Sequence, residues 1–161
     1  MIKKIAHLAD IHIRKVPTRN DEYVQVFKNL YNSLREDKPD RICIVGDLVN
    51  DYIDLQGEQL ILAKGFLTDL SKIAKVIITR GNHDFLRKNK KRIDSIEALI
   101  KVMDNDNIVY YNNTGFFEDD NIIWAVFKHG DKKNNPWENK KAVEAIDKSK
   151  KTLKNASEGS S

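Results

Sequence analysis

Three short apolar runs each end on a cluster of metal-binding side chains, and this recurrence constrains the chain more than anything else in it. Residues 5–8 lead to Asp10-Ile11-His12, residues 42–45 to Gly46-Asp47, and Val76-Ile77-Ile78-Thr79 to Gly81-Asn82-His83-Asp84. A short apolar run bounded by turn residues reads as a buried strand. Each polar cluster then sits where a strand ends, so all three can converge on one edge of one sheet. Asp, His and Asn offer the oxygen and imidazole donors that Mn²⁺, Fe²⁺ and Zn²⁺ accept. Asp10 and His12, two apart, are expected to point the same way from an extended segment. Asp47 could bridge two ions through its two oxygens, Asn82 could add a neutral amide oxygen, and His83 would be free for proton transfer. Such a set suits two-metal cleavage of a phosphoester.

The rest of the chain alternates strands and helices. Strands are expected over residues 2–8, 41–45 and 75–79. A helix over 18–37 places Tyr23, Phe27, Leu30, Tyr31 and Leu34 on one face, with Thr18 and Asp21 as a capping pair and Pro39 beyond its end. A second helix over 55–70 carries a stripe of Leu55, Leu62, Phe66 and Leu70. Asp94 is expected to cap a third helix that ends near Met103. Short strands follow at 108–111, 115–118 and 122–127, split by turn residues. From Asp131 the text changes: a thin apolar stripe of Ala142, Val143, Ile146 and Leu153 among many lysines reads as a solvated basic helix over 131–154. Residues 155–161 are small and polar, a disordered or appended end.

In their order and context, DxH, GD and GNHD make the chain resemble the calcineurin-like metallophosphoesterase superfamily. The surrounding residues are most similar to the nuclease subunit of double-strand-break repair nuclease–ATPase complexes, the SbcD type. The similar stretches are His7-Leu8-Ala9-Asp10-Ile11-His12, Ile44-Val45-Gly46-Asp47-Leu48-Val49, and the GNHD motif with Lys91-Arg92-Ile93-Asp94-Ser95. The resemblance covers roughly residues 1–130 and implies an α/β (α+β) fold, a two-sheet β-sandwich flanked by helices. It implies one metal on Asp10, His12 and Asp47 and a second on Asp47 and Asn82, both Mn²⁺, with His83 as general acid. It further implies DNA as substrate, an SbcC-type ATPase as partner, and a homodimer through the early helices, with the 55–70 helix as a surface. Family members carry later Gly-His and Gly-His-x-His motifs, whereas here only His129 follows the third motif, in the order Lys-His-Gly. The second metal is therefore under-coordinated, and the C-terminal part of the domain is expected to be missing. The competing readings are a phosphoesterase of small substrates and a non-catalytic fragment that binds DNA or a partner.

Composition enters through charge and cysteine. The net charge of +4 over 161 residues fits a polyanionic partner, and a single cysteine, Cys43, inside an apolar run suits a reducing, cytoplasmic setting. No apolar stretch approaches the ~20 residues that span a bilayer, so no membrane role is expected. Arg87, Lys88, Lys90, Lys91 and Arg92 follow the third motif, and Arg14, Lys15 and Arg19 follow the first. A row of phosphates would be held there by charge without readout of sequence; an ordinary solvated loop is the alternative. No aromatic residue interleaves these basic clusters, so stacking on single-stranded bases is not evident. His7 is expected to face away from Asp10 in a structural role, and His129 to be a loop histidine. Asp51 and Asp54 read as loop or cap carboxylates, Asn50 and Asp51 as outside candidates near the metals, and Asp84 as a turn former. Trp124 and Trp137 read as packing residues.

Overall fold

The computed structural model describes residues 1–15, 17–50, 56–81, 93–128 and 131. Four parallel strands form one sheet in the order β1 (Ile5–Ala9), β2 (Arg41–Val45), β3 (Lys75–Thr79) and β4 (Ile108–Tyr111). Three helices make the crossovers between them: α1 (Asn20–Asp37), α2 (Gly57–Ser71) and α3 (Ser95–Met103). Parallel neighbours require crossovers of this kind, since a tight hairpin would reverse the chain. β2 and β3 are central and carry near-continuous apolar runs, whereas β1 lies at an edge and alternates exposed and half-buried residues. That difference follows from one face against two faces being covered.

Alternation along the strands sorts the core. Ile42, Ile44, Val76 and Ile78 project to one face and join Phe27, Leu34, Ala63, Phe66, Leu67 and Leu70 from α1 and α2. The Phe27 and Phe66 rings meet with centroids 4.2 Å apart; a fully buried aromatic of this kind contributes about 1.5–3 kcal/mol through burial alone. Cys43 and Ile77 take the other face and are buried too, and burial pushes the Cys43 thiol up to about 11.

The strands from β2 onward match the expected runs to within one residue, β1 begins at Ile5 rather than at residue 2, and helix starts differ too. Thr18 falls in a single 3-10 turn, Pro17–Arg19, and α1 begins at Asn20 with Arg19 as its N-cap and no side-chain cap bond. The Thr18–Asp21 cap is thus corrected: the chain leaves the loop in a tighter helix before Thr18 can serve α1. α2 instead opens with a reciprocal pair, Gln56 and Gln59, each side chain bonding the other's backbone. Asp94 caps α3 as expected, its Oδ1 accepting the Glu97 amide at 2.8 Å.

Residues 3–112 form one compact unit, and residues 1–2 with 113–161 form a second. Within the second, β5 (Gly115–Asp119) and β6 (Ile122–Val126) pair antiparallel around Asp120 and Asn121. The Asn121 side chain accepts the Ile2 amide at 2.6 Å and donates to the Ile2 carbonyl at 3.2 Å. Trp124 is half-buried and donates its indole N–H to Asp119 at 3.0 Å, so it packs within this hairpin. Among the described residues no helix is long and apolar enough to cross a membrane. The expected basic helix over 131–154 lies outside the described residues apart from Asp131.

Candidate metal centre

Register brings the first two motifs to one edge. Ala9 pairs with Val45 and Val45 with Thr79, so Asp10, Gly46 and Arg80 follow one another along the carboxyl ends of β1, β2 and β3. In open parallel sheets this edge is where ligands bind. Beyond the strands the backbone stays zipped: the His12 amide donates to the Asp47 carbonyl at 2.9 Å and the Ile13 amide to that of Leu48 at 3.0 Å.

Asp10, His12 and Asp47 each offer a donor atom, and these atoms all lie within 4.8 Å of one another. His12 Nε2 is 3.6 Å from Asp10 Oδ1 and 3.9 Å from Asp47 Oδ2. Ligands at about 2.1 Å from an ion stand up to about 4.2 Å apart across it, so the three atoms suit one shared divalent cation with small adjustments. Two carboxylate oxygens and one imidazole form a donor set for Mn²⁺, Fe²⁺ or Zn²⁺. The residues present therefore fit the first of the two expected ions.

The route to this convergence differs from the one the spacing suggested. Asp10 and His12 are not extended: β1 ends at Ala9, and both residues take left-handed backbone, φ 54° and 48°. Asp47 joins them at 53°. The other non-glycine residues of this kind among those described are the helix caps Lys38 and Asp104 and the hairpin-turn residue Asp120. A left-handed L-residue costs roughly 1–2 kcal/mol, and such strain gathers at functional sites because the surrounding structure imposes it.

Two glycines let the loops nest. Gly46 takes φ 73°, and a Cβ there would lie 2.7 Å from the Gly81 Cα. A Cβ on Gly81 would fall on the Oδ1 and backbone nitrogen of Asp47. The motif glycines are therefore the points where the second and third loops touch, and a side chain at Gly81 would displace the Asp47 carboxylate directly.

Two clamps escaped sequence reasoning. The Tyr23 hydroxyl donates to the His12 carbonyl at 2.7 Å, and Gln59, buried, donates to the Ile13 carbonyl at 2.9 Å. Both residues look like ordinary helix positions in the text, and only a buried glutamine among apolar neighbours gives a faint signal. Asp94 is the third surprise. Its side chain is 3% exposed, accepts the Tyr110 hydroxyl at 2.7 Å, and lies 3.8 Å from Arg80, itself 11% exposed. Arg80 and Asp94 lie before and after residues 82–92 in the chain, so the described residues on either side of that stretch are tied together. Asn82, His83 and the basic residues Arg87, Lys88, Lys90, Lys91 and Arg92 fall outside the described residues, as do Asp51, Asp54, Asp84, His129 and Trp137. Arg14 is exposed on the loop after His12, and His7 is exposed on β1.

The family model for calcineurin-like phosphoesterases matches residues 3–159. The chain belongs to that family. The mixed α/β architecture of the described residues, a parallel sheet and an antiparallel pair with three helices, is consistent with the family's fold. Among curated relatives, "Uncharacterized protein R555" of Acanthamoeba polyphaga mimivirus is 33% identical over 129 residues, 78% of this chain and 10% of that protein. The "DNA double-strand break repair protein Mre11" of Methanopyrus kandleri is 29% identical over 101 residues, 60% of this chain and 22% of that protein. The chain thus spans a small part of the length of either relative. Among solved structures, the Pseudomonas putida nuclease MPE is similar with a TM-score of 0.48 and 21% identity, over 71% of this chain and 50% of that one.

Proposed function

We propose that this chain carries the metal centre of a divalent-metal-dependent phosphodiesterase that acts on DNA in repair or recombination. The observation that carries the reading is the convergence of Asp10, His12 and Asp47 on one ion-sized space. Family membership and the partial similarity to a DNA double-strand break repair protein support it. Asp47 would serve both ions, with Asn82 completing its share of the second and His83 protonating the leaving oxygen. Divalent ions held there supply Lewis-acid charge that polarises the phosphate. Arg14 and the Arg87, Lys88, Lys90, Lys91 and Arg92 cluster would hold flanking phosphates. Mn²⁺ as the metal, an SbcC-type ATPase and a second copy as partners, and a cytoplasmic setting complete the proposal. So does the division into residues 1–130, 131–154 and 155–161.

The donors named fall short of two full coordination shells. Residues 1–161 are therefore expected to take up about one Mn²⁺, to lose it in Asp47→Ala, and to cleave DNA negligibly. Calorimetric titration with Mn²⁺, followed by assays on linear DNA and on p-nitrophenyl phosphate, tests this. No Asp47-dependent uptake would sink the reading. Turnover of the small ester alone would move the substrate class, and robust Asp47-dependent DNA cleavage would show that the ligand set is already sufficient.

A further inference from the structure

Beside the metal centre, between the loop after β1 and the first half of α1, lies an open groove of about 500 Å³. Asp10 and His12 are among its lining residues, so groove and metal centre share two side chains. The wall is apolar: Ile11 from the loop, and Tyr23, Val26, Phe27 and Leu30 from one face of α1. Val26 is 61% exposed, an apolar β-branched side chain held in water. Arg14, Arg19 and Glu22 also line the groove, with the Arg19 Nε 2.7 Å from Glu22. Basic clusters and aromatic rings look separate in the sequence, yet α1 folds back so that the Arg14 amide reaches the Tyr23 hydroxyl at 3.3 Å.

We propose that this groove seats the base of the nucleotide next to the phosphate at the metal centre, unstacked from its neighbours. The proposal rests on the phosphodiesterase reading and adds to it a preference for strands with unpaired bases. A phosphodiester at Asp10 and His12 carries a flat, mostly apolar body one sugar away, and the apolar wall adjoins these two residues. The volume falls within the range of about 300–1,000 Å³ typical of small-molecule sites. A small phosphate monoester would leave the apolar wall unused. A flat base would cover Val26 and Ile11 while its polar edge stayed in water, and base stacking on rings and guanidinium planes tolerates any sequence. Arg14, exposed and lining the groove, suits the next phosphate, a contact that positions without specifying. Unpaired bases cost least to extrude, which gives the preference.

The test uses the whole chain, Mn²⁺ and two dinucleotides, d(TpT) and its analogue with one base removed, titrated by calorimetry with the strands checked intact afterwards. The base-bearing molecule is expected to bind about tenfold tighter, within the range that base stacking supplies. Val26→Asp should erase that ratio while Mn²⁺ uptake stays unchanged, and Arg14→Ala should leave the ratio as it was, because a dinucleotide carries no second phosphate for Arg14 to hold. Equal binding of the two dinucleotides would overturn the proposal, as would a preference that survives Val26→Asp. Either result with Mn²⁺ uptake still lost in Asp47→Ala leaves the phosphodiesterase reading standing. If Mn²⁺ uptake itself is absent, the parent reading fails, and the same ratio measured without metal decides the groove. A dimer that Val26→Asp dissociates in sedimentation would make the groove an interface between copies and overturn the proposal as well.

Discussion

At the scale of single residues, the centre is built from positions whose backbone matters as much as their side chains. Asp10, His12 and Asp47 can face one another because each turns left-handed immediately after or near a strand end. Asp and His tolerate this conformation better than most residues, but nothing in the local sequence announces it. Gly81 shows the tightest constraint. Its missing Cβ leaves room for the Asp47 carboxylate and amide, so Gly81→Ala must push the two loops apart. Overpacking of this kind costs typically 1–3 kcal/mol. We expect Gly81→Ala to lower stability by about that amount and to abolish Mn²⁺ uptake, as read by thermal unfolding and calorimetry. Uptake equal to that of the unaltered chain would show that the loops separate at no cost to the centre.

At the scale of elements, the strands were legible and the clamps between loops were not. Runs such as Ile42-Cys43-Ile44-Val45, bounded by charged and glycine residues, define a buried strand through local composition alone, and the structure places β2 there. The capping role of Asp94 was legible for the same reason, since it depends on a residue three positions away. Its pairing with Arg80 and Tyr110 depends on partners 14 and 16 residues distant in the chain, and no local pattern carries that. Asp94→Ala removes the cap of α3 and takes away the buried carboxylate that faces Arg80 and accepts the Tyr110 hydroxyl. Breaking a buried pair costs about 3–5 kcal/mol, and denaturant unfolding should show a loss of that size. Asp94→Asn keeps an oxygen for the Glu97 amide and should lose less. Equal losses in the two variants would assign the whole effect to the missing charge.

At the scale of the whole molecule, sequence order concealed the most consequential juxtaposition. The basic residues after His12 and the aromatic face of α1 are distinct features in the text, yet the fold sets both beside the metal centre. The other basic cluster bears on the same proposed partner. Replacing Lys90, Lys91 and Arg92 together with Ala should weaken binding to all duplex sequences about equally. The log–log salt slope should fall by about 0.9 for each phosphate that is no longer neutralised. Binding measured across a salt series checks this; an unchanged slope would mean that these residues touch no phosphate.

Left-handed backbone serves two opposite purposes at the two ends of the parallel sheet. After α1 and α3, Lys38 and Asp104 adopt it to stop a helix, a task glycine performs with less strain. Lys38→Gly should accordingly hold or raise the melting temperature, with a gain of about 1 kcal/mol at most, and a drop would show that the Lys38 side chain matters more than its backbone. At the ligand end the same backbone lies beneath donor atoms. Glycine at Asp10, His12 or Asp47 would relieve the same strain and delete a ligand. Anyone engineering this chain for hardiness by relaxing every strained turn would thus firm its helix ends and strip the donor atoms from its candidate metal centre.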